Sequence, residues 1–369
     1  MENVSLPRAS AVLRESSLDM IKVIATILII FHHYAQSYSG EYTFIKYYDG
    51  SFYFGYLVEL FFVISGYCSL HMLGRVESRA ETFPTFLKKR TGRLIPMLMI
   101  TAAADQVLQG MYLAVSGIPN PGRVSLWGAI ISGLGIQTGG AFLSKGVNNP
   151  TWYVSVLLIC YVFMFFLTWL SRRINVPCWY LFAGMVIVGA SSLTYSLTLP
   201  FLNFYASRGY LAFFYGILLG KVNQRYELHK QMKFQIVNIL FQAGFWFCFI
   251  FMPSTVLSDM RWLLTFLVWP GMILLLKAPV IEKFVHGGLW NSLAKYSFNA
   301  YVWHSCLLKV LTLYTAVTGQ KPFYSRISML IFTAAAFLLG VISYRWIETP
   351  IAKRLARNTL PAPKEVIAK

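Results

Sequence analysis

The stretch SSLDMIKVIATILIIFHHYAQS, Ser16 to Ser37, limits what this chain can fold into more than any other. It is apolar and long enough to cross a bilayer, yet it carries Asp19 and Lys22 at its start and His32 and His33 deep inside. At ~100° and ~1.5 Å per residue, the path from Lys22 to His33 turns about 1100°, some 20° past three full circles, and climbs ~16 Å. Lys22 and His33 therefore share a helical face, with His32 about 80° round from it. Ionisable side chains in a lipid-spanning helix are costly unless they face protein or water, which makes these residues functional candidates. The same pattern also fits a lysine snorkelling to the interface and a hydrogen-bonded structural histidine.

The rest of the chain repeats the apolar theme. Only 12% of its 369 residues are charged and 57% are hydrophobic, with a mean hydropathy of +0.57; soluble domains average about 25% charged residues. We therefore read an all-α polytopic membrane protein. The first run is too long for a secretory signal, lacks a small-residue cleavage site and holds Lys22 and two histidines, so it is expected to be a retained helix. About ten transmembrane helices are expected, drawn roughly at 18–37, 52–74, 94–116, 151–170, 178–199, 206–222, 234–252, 260–276, 297–317 and 327–347. The formal net charge of +18 suggests no nucleic-acid partner, because the basic residues gather in short connections at alternate ends of the spans. With both termini in the cytoplasm, about three quarters of the Lys and Arg fall inside, as the positive-inside rule requires.

Residues 1–15 are then a cytoplasmic N-terminal segment, 16–354 the membrane domain, and 355–369 a cytoplasmic tail expected to be disordered. The connection from about 117 to 150 is rich in Gly and Pro, and its length suits a lid or a re-entrant segment on the outer side. The five cysteines show no metal-type spacing and read as small apolar fillers. No HExxH, CxxC pair or phosphate-cradling Gly loop is present, so no metal or permanently bound cofactor is expected.

Several strings can carry chemistry. Glu59, in FYFGYLVELFFVISGYCSL, falls at a depth similar to His33. A carboxylate on one imidazole nitrogen fixes the tautomer and raises the basicity of the other, which makes the histidine a general base for a hydroxyl. A Glu paired with Lys or Arg is the competing reading. In FLKKRTGRLIPM, Lys88, Lys89, Arg90 and Arg93 enter the third span from inside. Arg90 and Arg93, three apart, suit a phosphate clamp on one face, although plain topology produces the same basic helix start. Trp152 and Tyr153 open the fourth span as interface anchors or as a sugar-stacking platform. Asn299, Tyr301 and His304 polarise the ninth span, where a relay and a satisfied bundle-core histidine are both open. Glu348 beside Arg345 and Arg354 fits a helix-ending ion pair, and the glycines of RGYLAFFYGILLGK fit close helix packing. Ser65, in Ile64-Ser65-Gly66, lacks the elbow pattern of serine hydrolases and is not assigned as a nucleophile.

Taken in order, these strings resemble the membrane acyltransferase 3 family, integral-membrane O-acyltransferases that modify surface glycans and other small acceptors. The resemblance runs from about residue 16 to residue 354. It rests on Lys22 followed by His33, Glu59-Leu-Phe-Phe-Val-Ile-Ser-Gly-Tyr67, Lys89-Arg90-Thr-Gly-Arg93-Leu-Ile-Pro96, Thr151-Trp152-Tyr153, Phe213 to Gly220, Tyr301-Val-Trp-His304 and Ile347-Glu348-Thr-Pro350. It implies a ten-helix domain that takes an acyl group, commonly acetyl from acetyl-CoA at the cytoplasmic face, and delivers it to an acceptor hydroxyl, often at the outer face. His33 would be the catalytic histidine, Lys22 the basic residue of its motif, and Arg90 and Arg93 the pair associated with the donor.

Two departures stand out. Many members have Arg at the Lys22 position, so the bidentate fork is missing here. Many carry a Glu after the Trp motif, where this chain has Val156, Leu157 and Leu158; Glu59 is the substitute carboxylate.

The resulting expectation is an acetyl-CoA-dependent O-acetyltransferase of a multi-pass membrane, the bacterial plasma membrane by family habit. Its partners are acyl-CoA, a carbohydrate or other hydroxyl acceptor, and the lipid bilayer. His33, Glu59 and Lys22 would be catalytic; Arg90, Arg93 and Lys89 would hold the donor; Trp152, Tyr153 and His304 would meet the acceptor. The alternative is a proton-coupled transporter or flippase that uses the buried His and Glu as a relay; it calls for broken helices in paired, inverted halves, and the sequence shows neither.

Overall fold

Inside hydrocarbon every backbone N–H and C=O must find its partner within the protein, and a helix does this locally. The computed structural model describes residues 16–37, 54–117, 124–138, 146–251, 260–285, 288–320 and 325–357, and among these it has helices and turns with one isolated bridge, Leu199 to Leu202, in place of any strand. Residues 1–15, the 38–51 connection, part of the 117–150 connection and most of the expected tail lie outside the described residues.

The chain runs through α1 (Ser16–Ser37), a 3-10 turn (Phe54–Tyr56) into α2 (Leu57–Tyr67), α3 (Leu70–Glu77), α4 (Phe83–Ser116), α5 (Leu126–Gly133) and α6 (Trp152–Arg173). It continues through α7 (Cys178–Thr194), α8 (Phe204–Tyr226), α9 (Met232–Phe251), α10 (Arg261–Leu263), a π-helical turn (Leu264–Val268) and α11 (Trp269–Leu276). It ends with α12 (Pro279–Val285), α13 (Gly288–Thr318), α14 (Arg326–Ser343), a second π-helical turn (Tyr344–Glu348) and α15 (Thr349–Arg357). The last helix runs three residues into the expected tail.

Each of the ten expected spans falls mainly on helix. By length and apolarity, however, five helices among the described residues are able to cross a membrane, or up to seven if the bent pairs α2–α3 (41°) and Arg261–Leu276 with α12 (68°) each count as one. The shortfall against ten has a physical cause. α7 is short, while α8 and α13 carry Arg208 and His304 inside the bundle, and buried polar groups lower the apolar signal of a span that faces protein.

Two sets of helices build the core. α8 packs along α2, α6 and α7, and α13 packs along α1, α4 and α14. The α2–α8 contact brings backbones together: a Cβ added to Gly66 would lie 1.9 Å from the Phe213 carbonyl oxygen, and one on Gly216 would lie 2.2 Å from that of Val63. Small residues allow this approach where lipid supplies no hydrophobic drive between helices. The start of α1 is capped by Glu282, whose carboxylate accepts from the backbone N–H groups of Ser16 (2.9 Å) and Ser17 (3.3 Å), as a negative charge at a helix N-terminus favours.

In the described part of the 117–150 connection the chain folds back against α4. Ser125 donates its backbone N–H to Gln106 of α4 (2.6 Å). α5 then runs back along α4, so that Gly133 meets Met99 and Gly135 meets Leu98 and Leu158. The return is pinned by Gln137, whose amide donates to the Asn148 carbonyl (3.2 Å) and to the Thr151 hydroxyl (3.1 Å).

Candidate functional site

The two helices that sequence reasoning marked with histidines are neighbours, and their imidazoles meet. The rings of His33 (α1) and His304 (α13) stack with centroids 5.0 Å apart and 29° between planes. His32 meets His33 edge-on at 5.0 Å. His304 is fully buried and its Nδ1–H donates to the Tyr301 carbonyl one turn back. That bond fixes the tautomer and leaves Nε2 as a bare acceptor. Nε2 is buried with no hydrogen-bond partner among the described residues. The sequence left open a satisfied core histidine at 304, and the structure satisfies only one of its two nitrogens.

Around this pair the polar groups of α13 and α6 interlock. The Tyr301 hydroxyl donates to the Pro150 carbonyl, and the Asn148 amide donates to the Val302 carbonyl (3.2 Å). The 3-10 turn Asn149–Thr151 is thereby tied to α13 one turn from His304. Tyr153 stands against Tyr301, with ring centroids 6.2 Å apart, and shares a 3.1 Å hydrogen bond with the Ser65 hydroxyl. Beside these groups lies a cavity of about 180 Å³ whose lining includes Lys22, Thr26, Ser65, Leu94, Tyr153 and Tyr301. Lys22 also pairs with Asp19 at 3.5 Å. The cavity extends from the Lys22 level of α1 up to the tyrosine pair just below His304.

Glu59 does not meet His33. The carboxylate accepts from Arg208 through two parallel bonds, Nε to Oε1 at 2.6 Å and Nη2 to Oε2 at 2.7 Å, and Nη2 also donates to the Gly55 carbonyl (2.7 Å). Arg261 Nε approaches the same carboxylate at 3.6 Å. The close α2–α8 seam explains this, because Glu59 lies on the α2 face turned to α8. Among the described residues no hydrogen bond joins Glu59 to His33, so the expected carboxylate–imidazole couple is replaced by an arginine clamp.

Arg208 is a site residue that the sequence does not single out. Its position near the start of α8, flanked by aromatic residues, reads as an interface charge, whereas the fold buries it at 6% exposure. Its guanidinium lies over the Trp152 ring at 5.0 Å and that of Phe204 at 5.4 Å. Trp152 is thus a cation–π platform for Arg208, and Tyr153 is the member of the Trp-Tyr pair that borders the cavity.

At the basic end, the face shared by Arg90 and Arg93 opens onto two different neighbours. Arg93 forms an ion pair with Glu348, which also accepts from the Asn299 amide (2.6 Å). Arg90 lies over the rings of Phe86 (5.6 Å) and Tyr161 (5.9 Å), and its Nε is buried without a hydrogen-bond partner among the described residues. Lys89 pairs with Glu81 at 2.6 Å, and Arg75 reaches the same carboxylate at 3.2 Å. No group of His, Cys, Asp and Glu suited to hold a metal occurs among the described residues.

Fold and site together define an integral-membrane protein whose helical bundle holds a buried histidine pair and, beside it, a cavity bordered by Lys22, Ser65 and two tyrosines. A family model described as an acyltransferase domain, acyltransferase 3, matches residues 15–346, and the chain belongs to that family. It is a membrane acyltransferase. No curated protein and no solved structure matches the chain.

Proposed function

We propose that this protein is an O-acyltransferase that moves an acyl group, acetyl in the family's common case, from acyl-CoA to a hydroxyl of a cell-surface glycan or similar acceptor. His33 acts as the base. The chain would cross the plasma membrane with ten helices and both termini in the cytoplasm, as its distribution of basic residues favours.

The observation that carries the reading is the stacked His33–His304 pair, one helical turn beyond the Tyr301 end of a cavity that starts beside Lys22. An imidazole nitrogen of this pair removes the proton of the acceptor hydroxyl as its oxygen forms a bond to the thioester carbonyl. The carbon–sulfur bond then breaks, and the imidazolium returns the proton to the CoA thiolate. His304 Nε2, bare beside His33, is suited to share that proton. The hydroxyls of Ser65 and Tyr153 on the cavity wall are donors that would offset charge on the carbonyl oxygen. Lys22, near the cavity floor, and Arg90, beyond it at the start of α4, would attract the donor's phosphates. Lys89 and Arg93 would join them by exchanging their present carboxylate partners.

Purified protein in detergent tests the proposal. With acetyl-CoA, free CoA should be released only when a glycan acceptor is present. CoA release that ignores the acceptor, or its absence alongside solute uptake in liposomes, would reject it.

A further inference from the structure

Three arginines and a tryptophan frame an open cavity at the basic end of the bundle, away from the histidine pair. Arg79, Trp169, Arg172 and Arg173 line a space of about 510 Å³. The fold brings them together for identifiable reasons. The Arg172 guanidinium donates to the carbonyls of Val76 and Glu77, both at 3.0 Å, which ties the end of α3 to the end of α6. Arg79 sits in a left-handed turn (φ 58°) closed by its own N–H on the Val76 carbonyl (3.2 Å), and so lands at the same corner. Arg173 lies over the Trp169 ring at 5.5 Å, and Arg79, Trp169 and Arg173 are all exposed. The nearby Glu77 carboxylate accepts from the Cys178 thiol (3.1 Å), and no carboxylate lines the cavity among the described residues.

A second observation points the same way. Val162, Phe166, Trp169 and Arg173 lie within about 60° of one another on α6, so the arginine corner continues into an apolar stripe. That stripe runs along the seam between α4 and α6, where the Phe83 ring packs at a tilt against those of Phe165 (5.2 Å between centroids) and Phe166 (4.8 Å). The seam widens into an apolar cavity of about 700 Å³ lined by Leu87, Thr91 and Ile95 of α4 and Ile159, Val162 and Phe163 of α6. From Phe163 to Arg173 the helix rises ~15 Å, which an acyl chain spans with ease.

We propose that this corner and seam bind an anionic phospholipid. Its phosphodiester would lie on Arg79, Arg172 and Arg173, its glycerol region against Trp169, and one acyl chain in the α4–α6 seam. Arginine forks match phosphate oxygens, and basic pockets between membrane helices select acidic headgroups. Tryptophan at this level is the usual marker of the headgroup layer. A soluble phosphate would use the arginines but has no need of the apolar seam, so the α6 stripe that leads from Trp169 at the arginine corner to Val162 in the apolar cavity favours lipid.

Native mass spectrometry and thermal unfolding of the full-length protein, supplied with phosphatidylglycerol or phosphatidylcholine, test this. Phosphatidylglycerol should be retained in preference to phosphatidylcholine and should raise the unfolding midpoint. The double variant Arg79→Gln/Arg173→Gln, which leaves the α3 anchor Arg172 in place, should bind phosphatidylglycerol about thirtyfold more weakly. Val162→Trp, which fills the seam, should weaken the lipid and leave any binding of inorganic phosphate unchanged. Equal retention of the two lipids, or lipid binding by the double variant that matches the parent protein, would overturn the proposal. So would phosphatidylglycerol binding untouched by Val162→Trp and fully competed by inorganic phosphate, which would mark a site for soluble anions.

Discussion

Arg208 grips both oxygens of Glu59, at 2.6 and 2.7 Å, from the opposite side of the α2–α8 seam. The pair is buried, with Arg208 at 6% and Glu59 at 1% exposure. Removing one partner leaves the other charge stranded, at a cost of about 3–5 kcal/mol, whereas replacing both by apolar residues of similar volume is far milder. Glu59→Leu and Arg208→Met should therefore each lower the thermal midpoint in detergent markedly, and the double variant should recover much of the loss. Additive losses in the double variant would show that the two side chains act independently.

The α2–α8 approach that sets up this pair depends on glycine. A methyl on Gly216 would sit 2.2 Å from the Val63 carbonyl oxygen, a distance backbone atoms do not tolerate, so the helices must separate. Gly216→Ala should reduce the yield of folded protein and weaken the Glu59–Arg208 clamp. By contrast Gly184→Ala, with nothing within 4 Å of the added carbon, should fold as well as the parent. Gel-filtration recovery in detergent compares the two.

These two cases show how far the sequence can be read. Lys22 and His33 on one face of α1 follow from helical periodicity alone, and the polar residues of the ninth span are evident in its pattern. The partner of Glu59 was not legible, because depth along a span says nothing about which neighbour a face meets. Gly66 and Gly216 decide that, through a contact between elements about 150 residues apart in the chain. Arg208 escaped for a related reason: an arginine at a helix start looks the same whether it faces the headgroups or a buried carboxylate. The stacking of His304 on His33 is likewise a property of how α1 meets α13.

Lys309 of α13 forms an ion pair with Asp105 of α4 and also donates to the Val147 carbonyl (3.1 Å). It links two helices to the turn that leads into Tyr153. Lys309→Met leaves the fully buried Asp105 without its partner, and a loss of about 3–5 kcal/mol is expected. Asp105→Leu/Lys309→Met should be less destabilised than Lys309→Met alone when unfolding is followed in detergent.

Tyr301→Phe removes the hydroxyl that donates to Pro150 and should cost about 1–3 kcal/mol by leaving that carbonyl unpaired. It keeps the ring beside His304, so acyl transfer should fall less than in His304→Ala. The two variants, assayed side by side in membranes, separate the anchoring of the outer turn from proton handling by the histidine pair.

The most direct measurement is acetyl-CoA-dependent acetylation of total surface glycan by membranes that carry either the parent protein or His33→Ala at equal, folded levels. A general base contributes about 10² to 10⁴-fold, so transfer by the variant should fall by that order. Transfer that continues at the parent rate would contradict the assignment of His33 as the base.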